Sequence, residues 1–514
     1  MARSKGTEAV PRTGACHVCR VRHLPHVSPA AIAATAAICL PVALGTGFAN
    51  AATPAPLADL HAAASAAHPQ LARAQAATPA CTDSWRGGRG PWTGGNWSAG
   101  TPDGNTPVVC ITVPGSVVTI SNDVQINALV VGGSSGAPVK VVVASTKTVE
   151  SDLGTWKDSV INPTGVVEMT SAPSANSYTS TFSARNGATV TNDGRISTAG
   201  AEAFIGPDIV NNPAGTIVVD ARLNQTNCCT VVNKGTIDLG PGATWDYEGT
   251  DFTQSGGTLD NLGTLEVHGG TFTMAGGREA RHPVELTGFV TLVDGPSPAP
   301  GSFTLIGDNT VSGVIPSSQR LTLLSTAASE SATSLGTPSV VNNGDVTLDV
   351  SAPGSSDYLE HSQLLNHGTL NVVAAGTGAT LNSQVTNYKG STTHFSGTGA
   401  DVGNTFSNSG TVILGRATDV HLNGVDFSEN PGSTFAAEVG PHGATSELSA
   451  LEASHVTLAG TLRVTTVGDP AAGATYRPIS VAGSTVTGKF AHISSPQRGY
   501  SVSYGPTSVT LTAK

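Results

Sequence analysis

One short phrase returns along this chain: an apolar residue, any residue, Asn, one or two residues, Gly, then alternating apolar residues. It reads Val-Thr-Asn192-Asp-Gly194-Arg-Ile196, Val-Val-Asn233-Lys-Gly235-Thr-Ile237 and Leu-Asp-Asn261-Leu-Gly263-Thr-Leu265. It reads again as Leu-Leu-Asn366-His-Gly368-Thr-Leu370 and Phe-Ser-Asn408-Ser-Gly410-Thr-Val412. Asn342, Asn366, Asn387, Asn408 and Asn430 follow one another at 21 to 24 residues. That period is the length of one coil in a stacked solenoid. Looser copies stand at Asn162, Asn212 and Asn430, each followed by Pro and then Gly.

The flanks of each copy alternate apolar and polar, a period of two that means strand. We therefore expect an all-β fold, a parallel β-helix with capped ends. Its coils lie about 4.8 Å apart, with Val, Ile and Leu inward and Thr, Ser, Asp and Lys outward. Glycine is expected at the corners because it accepts positive φ. The Asn residues are expected to satisfy buried corner amides and to stack as a ladder. The ladder set is Asn192, Asn233, Asn261, Asn342, Asn366, Asn387 and Asn408. A β-sandwich array with Asn-Gly hairpins is the competing reading. Its turns would fall every ~8–12 residues without this recurrence. Composition agrees with the solenoid: there are 61 Gly, 5% aromatic and 12% charged residues, as a thin β-branched core with many corners requires.

Residues 1–51 read as a secretory signal peptide. Arg3, Lys5, Arg12, Arg20 and Arg22 face a single acid, Glu8, before an apolar run from Ala30 to Phe48 and a small-residue site at Ala49-Asn50-Ala51. Pro41 and Gly45 interrupt the run, which argues against a membrane anchor. Cys16-His-Val-Cys19 with His23 and His26 matches no closed zinc finger. Cleavage removes five basic residues and one acid, taking the net charge from −11 to −15. A surface so acidic repels nucleic acid. No second apolar span of membrane length follows. Four cysteines then remain, Cys81, Cys110, Cys228 and Cys229, and an even number in an exported chain favours disulfides. Cys81 with Cys110 would staple the first coil, and Cys228 could pair with Cys229.

The organisation reads as an Ala/Pro-rich linker at 52–80, a Trp/Gly-rich cap at 81–107, a solenoid at 108–458 and a strand segment at 459–514 that closes it. Trp85, Trp92 and Trp97 would cover the apolar first coil, the other use of such rings being a sugar-stacking platform. Between Gly276 and Ser339 the Asn phrase is missing, and we expect irregular coils with loops there. The opening with Trp85, Trp92, Asn96-Trp97 and Pro102 resembles the start of autotransporter-type passenger domains of secreted bacterial β-helix proteins. The closing part, Gly473-Ala-Thr-Tyr476 through Val509-Thr-Leu511, resembles the end of such chains. The resemblance stops short of their membrane barrel. It implies a secreted or surface-associated solenoid with adhesion or matrix roles.

Chemistry has three candidate clusters: Asp246, Glu248 and Asp251; Asp357, Glu360 and His361; and Glu279, Arg281 and His282. All are expected on loops off the ladder. A glycoside hydrolase needs two carboxylates across a groove, and a lyase needs acids holding Ca²⁺ beside a base. A polysaccharide-degrading enzyme would therefore gather the first and third clusters in one cleft. The stronger expectation is a non-catalytic, adhesin-like solenoid. Its partners would be extracellular glycans or surface proteins, with no cofactor beyond Ca²⁺ recruited by acidic loops.

Overall fold

The computed structural model describes residues 78–514, apart from 174–178, 186, 227–228, 296–298, 326–329, 351, 353–354, 441–444, 451–453, 482–484 and 496–498. The signal-like segment, its cysteines and histidines, most of the Ala/Pro-rich stretch and Cys228 lie outside the described residues. The chain divides into Met1–Ala55 and Pro56–Lys514, and every described residue belongs to the second unit.

Among the described residues all regular structure is β and there is no helix. The first full coil runs through Val108–Ile111, Val117–Ile120 and Val124–Ile126. Ala128–Val131 then lies on Val108–Ile111 in parallel, with Leu129 opposite Val109. Val139–Ala144 lies on Val117–Ile120, and Ser151–Thr155 on Val124–Ile126. Three parallel faces result, called first, second and third in this order, and the coil makes about 15 turns. Each strand finds its backbone partners in the coils below and above, so only the two end coils leave groups to be covered.

Alternation supplies the core. Val139, Val141 and Val143 are inward and fully buried, and Lys140 between them points out to Glu168 of the next coil, 2.6 Å away. The aromatics that do enter the core stack along the axis. Phe252 lies on Phe272 with ring centres 5.1 Å apart, and Phe406 on Phe427 at 5.5 Å. The stretch from 276 to 339, expected to be irregular, keeps parallel pairing. Strand Val284–Asp294 carries both Gly301–Ile306 and Asn309–Ser312. A shift of register between Leu335 and Ser339 is an irregularity seen among its described residues.

The Asn residues form two ladders on different corners. In the first, Asn192 Nδ2 donates to Asn211 Oδ1, Asn211 to Asn233, and Asn233 to Gln254 Oε1, at 2.7 to 2.8 Å. These four close the first-face strands. In the second, Asn342 donates to Asn366, Asn366 to Asn387 and Asn387 to Asn408, again at 2.7 to 2.8 Å, and Asn408 donates to Glu429. These five close the second-face strands. Three assignments from sequence change. Asn211 stands in the column rather than Asn212, because Val210 and Asn211 sit opposite Val232 and Asn233. Glu429 stands there rather than Asn430, because it lies opposite Asn408. Asn261 belongs to neither ladder. It has Leu239 below and Arg281 above, and its Nδ2 turns to the His282 and Pro283 carbonyls.

The geometry explains the Asn and the Gly of the phrase. Asn233 Oδ1 accepts the N–H of its own corner Gly235, and Asn342 Oδ1 accepts that of Gly344. Each Nδ2 also reaches the Thr carbonyl of the next coil: Asn342 to Thr369, Asn366 to Thr392, Asn387 to Thr411. Positive φ is not the reason for these glycines, since Gly235 and Gly368 are absent from the left-handed set. A Cβ at Gly368 would lie 2.1 Å from the Gly344 oxygen, and one at Gly235 would lie 2.3 Å from the Asn212 oxygen. The corners need glycine because successive backbones nearly touch there. Because every amide donates up the stack, each ladder must end on an acceptor. Gln254 supplies a carbonyl and passes its own N–H to the Gly256 oxygen. Glu429 supplies a carboxyl that also takes the Ser433 hydroxyl.

The ends differ from the middle. Trp85, Trp92 and Trp97 are buried at the amino end, with Trp97 4.9 Å from Trp85 and 4.7 Å from Trp92 between ring centres. Their indole N–H groups bond to the carbonyls of Gly88, Pro102 and Trp92. Buried rings cover the first coil and leave no stacking platform. A disulfide joins Cys81 to Cys110. Cys229 is buried with its Sγ 2.8 Å from the Gly206 carbonyl oxygen. At the other end, Ser508–Ala513 runs antiparallel to both Thr475–Val481 and Tyr500–Tyr504.

Glu279, Asp294, Asp357 and Glu429 are among the buried carboxyl groups. Burial pushes each up to about 7 from ordinary values of 4.5 for Glu and 3.8 for Asp. The folded chain therefore holds protons that the unfolded chain releases, so these groups lower stability as pH rises through that interval. His367, pushed down by burial against Tyr388, acts the opposite way as a single group. The melting temperature is accordingly expected to be higher at pH 5 than at pH 8, and Glu429→Gln should flatten part of the slope. Calorimetry across that range checks both. For the ladder, Asn366→Ala is expected to cost about 1–3 kcal/mol by stranding buried partners. Asn261→Ala should cost less. Gly368→Ala should cost about 1–3 kcal/mol by overpacking. Denaturant melts of the three variants measure the order.

Candidate functional site

The three clusters read from sequence stand on strands, apart from His282 just after one, and the coil separates them. Asp246 and Glu248 point outward from Thr244–Glu248 on the third face. Asp251 opens the first-face part of Asp251–Asn261. Glu279 and Arg281 end the strand Thr264–Arg281 on the second face. No hydrogen bond or ion pair joins Asp246, Glu248 or Asp251 to Glu279, Arg281 or His282. Arg281 pairs instead with Asp260 at 3.1 Å, and His282 Nδ1 lies 3.0 Å from the Gly263 carbonyl. Glu279 points inward and accepts the Ser302 N–H. The first and third clusters do not build one cleft.

The second cluster splits between inside and outside. Asp357 is buried, with its Oδ1 accepting the Tyr358 N–H at 2.8 Å. Glu360 and His361 point out from the first face, where the register makes a row. Thr291 lies opposite Thr310, Thr310 opposite Ser334, and Ser334 opposite Glu360. Phe289 stands beside this row, two residues before Thr291 on the same strand. Val290 and Leu292 point inward, so alternation sends Phe289 outward, and it is 79% exposed. Among the described residues it is the one aromatic in the set of exposed large hydrophobics, beside Val113, Val149 and Ile493. Phe289, Asp308, Thr310, Ala332, Ser334 and Glu360 line a depression of about 280 Å³.

The floor of this depression is fixed from below. Buried Asn309 accepts the Val290 N–H at 3.1 Å and donates to the Ile306 and Gly307 carbonyls, both at 3.1 Å. Asp308 accepts the Ala332 N–H at 3.2 Å. This corner lies between the two ladders, and a single Asn holds it locally. Across the depression, His361 Nδ1 is 3.3 Å from Ser334 Oγ and 3.2 Å from Glu360 Oε1. His361 has a φ of 74°, a conformation that costs a non-glycine residue of order 1–3 kcal/mol.

Serine, histidine and glutamate side by side suggest a nucleophile, but the contacts do not relay a proton. A triad needs the serine on one ring nitrogen and the carboxylate on the other. Here both address Nδ1. The arrangement offers an apolar ring edged by hydroxyls and carboxylates, which suits a ligand with an apolar face and many hydroxyls. Sequence reading passed over Phe289, Asp308 and Ser334. The signal was the inward alternation of Val290 and Leu292, which leaves Phe289 no place in the core.

Compared by sequence, the chain matches no family model and no curated protein. Compared by structure, it is similar to the crystal structure of the Haemophilus influenzae Hap adhesin, at 11% identity and a TM-score of 0.23. The alignment covers 80% of this chain and 64% of that one, so this chain spans less than two thirds of the other's length. Likeness at this level carries no functional argument.

Proposed function

We propose that this chain is an exported, adhesin-like β-solenoid that binds hydroxyl-rich polymers, glycans in the first place, along its first face. The carrying observation is Phe289, a ring 79% exposed at the rim of a depression lined by Asp308, Ser334 and Glu360. The ring offers an apolar face to solvent beside a row of Thr and Ser hydroxyls, the combination that suits contact with a hydroxyl-rich partner. The ring would stack on the C–H face of a sugar, while the hydroxyl and carboxylate groups would accept and donate around it. The coil repeats such outward rows every ~4.8 Å, so weak contacts along a polymer add through effective concentration. The disulfide Cys81–Cys110 supports an oxidising, extracytoplasmic setting, as does the signal-like amino end.

The test is a glycan array probed with the full chain and with Phe289→Ala. The wild-type chain should retain at least one glycan class, and the variant should lose about tenfold in affinity, matching a stacking contact of ~1–1.5 kcal/mol. Because the ring is exposed, the variant should melt as the wild type does. No glycan retained, or equal retention by both chains, would remove the proposal. Reducing ends released from the same polysaccharides, and lost in Glu360→Ala, would replace binding by hydrolysis.

A further inference from the structure

The third face carries a separate side-chain cluster in the coils just before Phe289. Asn224 lies opposite Asp246, Asp246 opposite Glu266, and Glu266 opposite Glu285. His268 follows Glu266 by two residues and so points out from the same side of the strand. We propose that Asp246, Glu266 and His268 bind a divalent first-row transition ion, for which zinc is the probe. This assignment is independent of the glycan reading.

Spacing is the first support. His268 Nε2 lies 3.2 Å from Asp246 Oδ1 and 3.4 Å from Glu266 Oε2. All three donor atoms lie within 4.8 Å of one another. Three points so placed share a centre about 2.0–2.4 Å from each, which is the length of zinc–nitrogen and zinc–oxygen bonds. A separate observation concerns the carboxylate of Asp246. Arg222 Nη2 holds its Oδ2 at 3.0 Å. The other oxygen, Oδ1, is shut off from solvent and accepts no hydrogen bond. His268 Nε2, 3.2 Å away, is its one charged neighbour and makes no hydrogen bond to it; a buried carboxylate oxygen so placed is expensive, and a cation between the two supplies what is missing.

The surroundings point the same way. Asp246, Glu266 and Glu285 place one carboxylate per coil in register, and like charges directly opposite repel. A divalent ion relieves that repulsion. The donor set selects the class of ion. Calcium takes six to eight oxygens, whereas two carboxylates and an imidazole suit zinc and its neighbours, with solvent at a further position. Glu266 and His268 each keep about a third of their side chain exposed, which leaves that outer position open.

The experiment uses the full chain, stripped with chelator, and titrates zinc by calorimetry against wild type, His268→Ala and Glu266→Gln. Apo melts first establish that each variant folds, and the near-isosteric Glu266→Gln serves if His268→Ala does not. Wild type should bind one equivalent of zinc more than His268→Ala, and Glu266→Gln should weaken that equivalent at least tenfold. Cysteines and histidines elsewhere, including those of residues 16–26, cancel in the difference. Cobalt should give visible ligand-field bands that are lost in His268→Ala. Superimposable zinc isotherms for the wild type and a folded variant would overturn the site. Calcium binding as tight as zinc, lost in the same variants, would overturn the ion class.

Discussion

The structure depends on one hydrogen bond repeated along the stack, from an Asn side-chain N–H to the side-chain carbonyl of the coil above. At the corners the backbone turns inward and cannot pair as it does on the flat faces. Its buried groups need partners at each level, and a side-chain amide supplies both a donor and an acceptor. The bond from Asn366 to Asn387, for example, comes with a second one to the Thr392 carbonyl. The coils then approach so closely that a Cβ at the corner has no room, which fixes glycine two residues later. Direction fixes the ends: a column of upward donors closes on Gln254 in one case and on Glu429 in the other.

A fixed register has a functional consequence. It brings residues about 20 positions apart in sequence into straight outward rows, so surface chemistry is assembled across coils. The row ending at Glu360 and the trio of Asp246, Glu266 and His268 are both of this kind. The Phe289 depression runs on through Ser334 and Glu360 into the coils of Asn342 and Asn366, but it starts in the coils between the two ladders, where Met274 has replaced the amide above Gln254 and Ile315 precedes Asn342. Local devices hold the chain there, Asn309 above all, and the outward surface is freer to carry an exposed ring.

Much of this was legible in the sequence. The period, the alternation and the phrase Asn-x-Gly specify a parallel solenoid, because the Asn and the Gly each answer a demand of the corner. The corner itself was not legible, since the same phrase closes first-face strands at Asn233 and second-face strands at Asn366. Where two candidates adjoin, as at Asn211-Asn212 and Glu429-Asn430, only the register decides which one enters. The loop acids were misread because alternation was not followed through them. Asp246 lies between Trp245 and Tyr247, both inward, which already made it a strand residue facing out. The same rule applied to Leu265-Glu266-Val267-His268 would have placed Glu266 and His268 beside it. Asp357 and Glu279 obey the rule in the other direction and lie inside, where chemistry on a solvent-borne substrate is out of reach.

The measurement that tests the ladder account most directly is hydrogen exchange resolved to peptides along the full chain. Coils held by amide ladders should open last, since each opening breaks side-chain bonds to two neighbouring coils. Two blocks of strongest protection are expected, about residues 190–260 and 340–430, with a faster-exchanging stretch between them near 275–335. Uniform protection along the solenoid, or a maximum in that middle stretch, would contradict the claim that the Asn columns hold the coils in place.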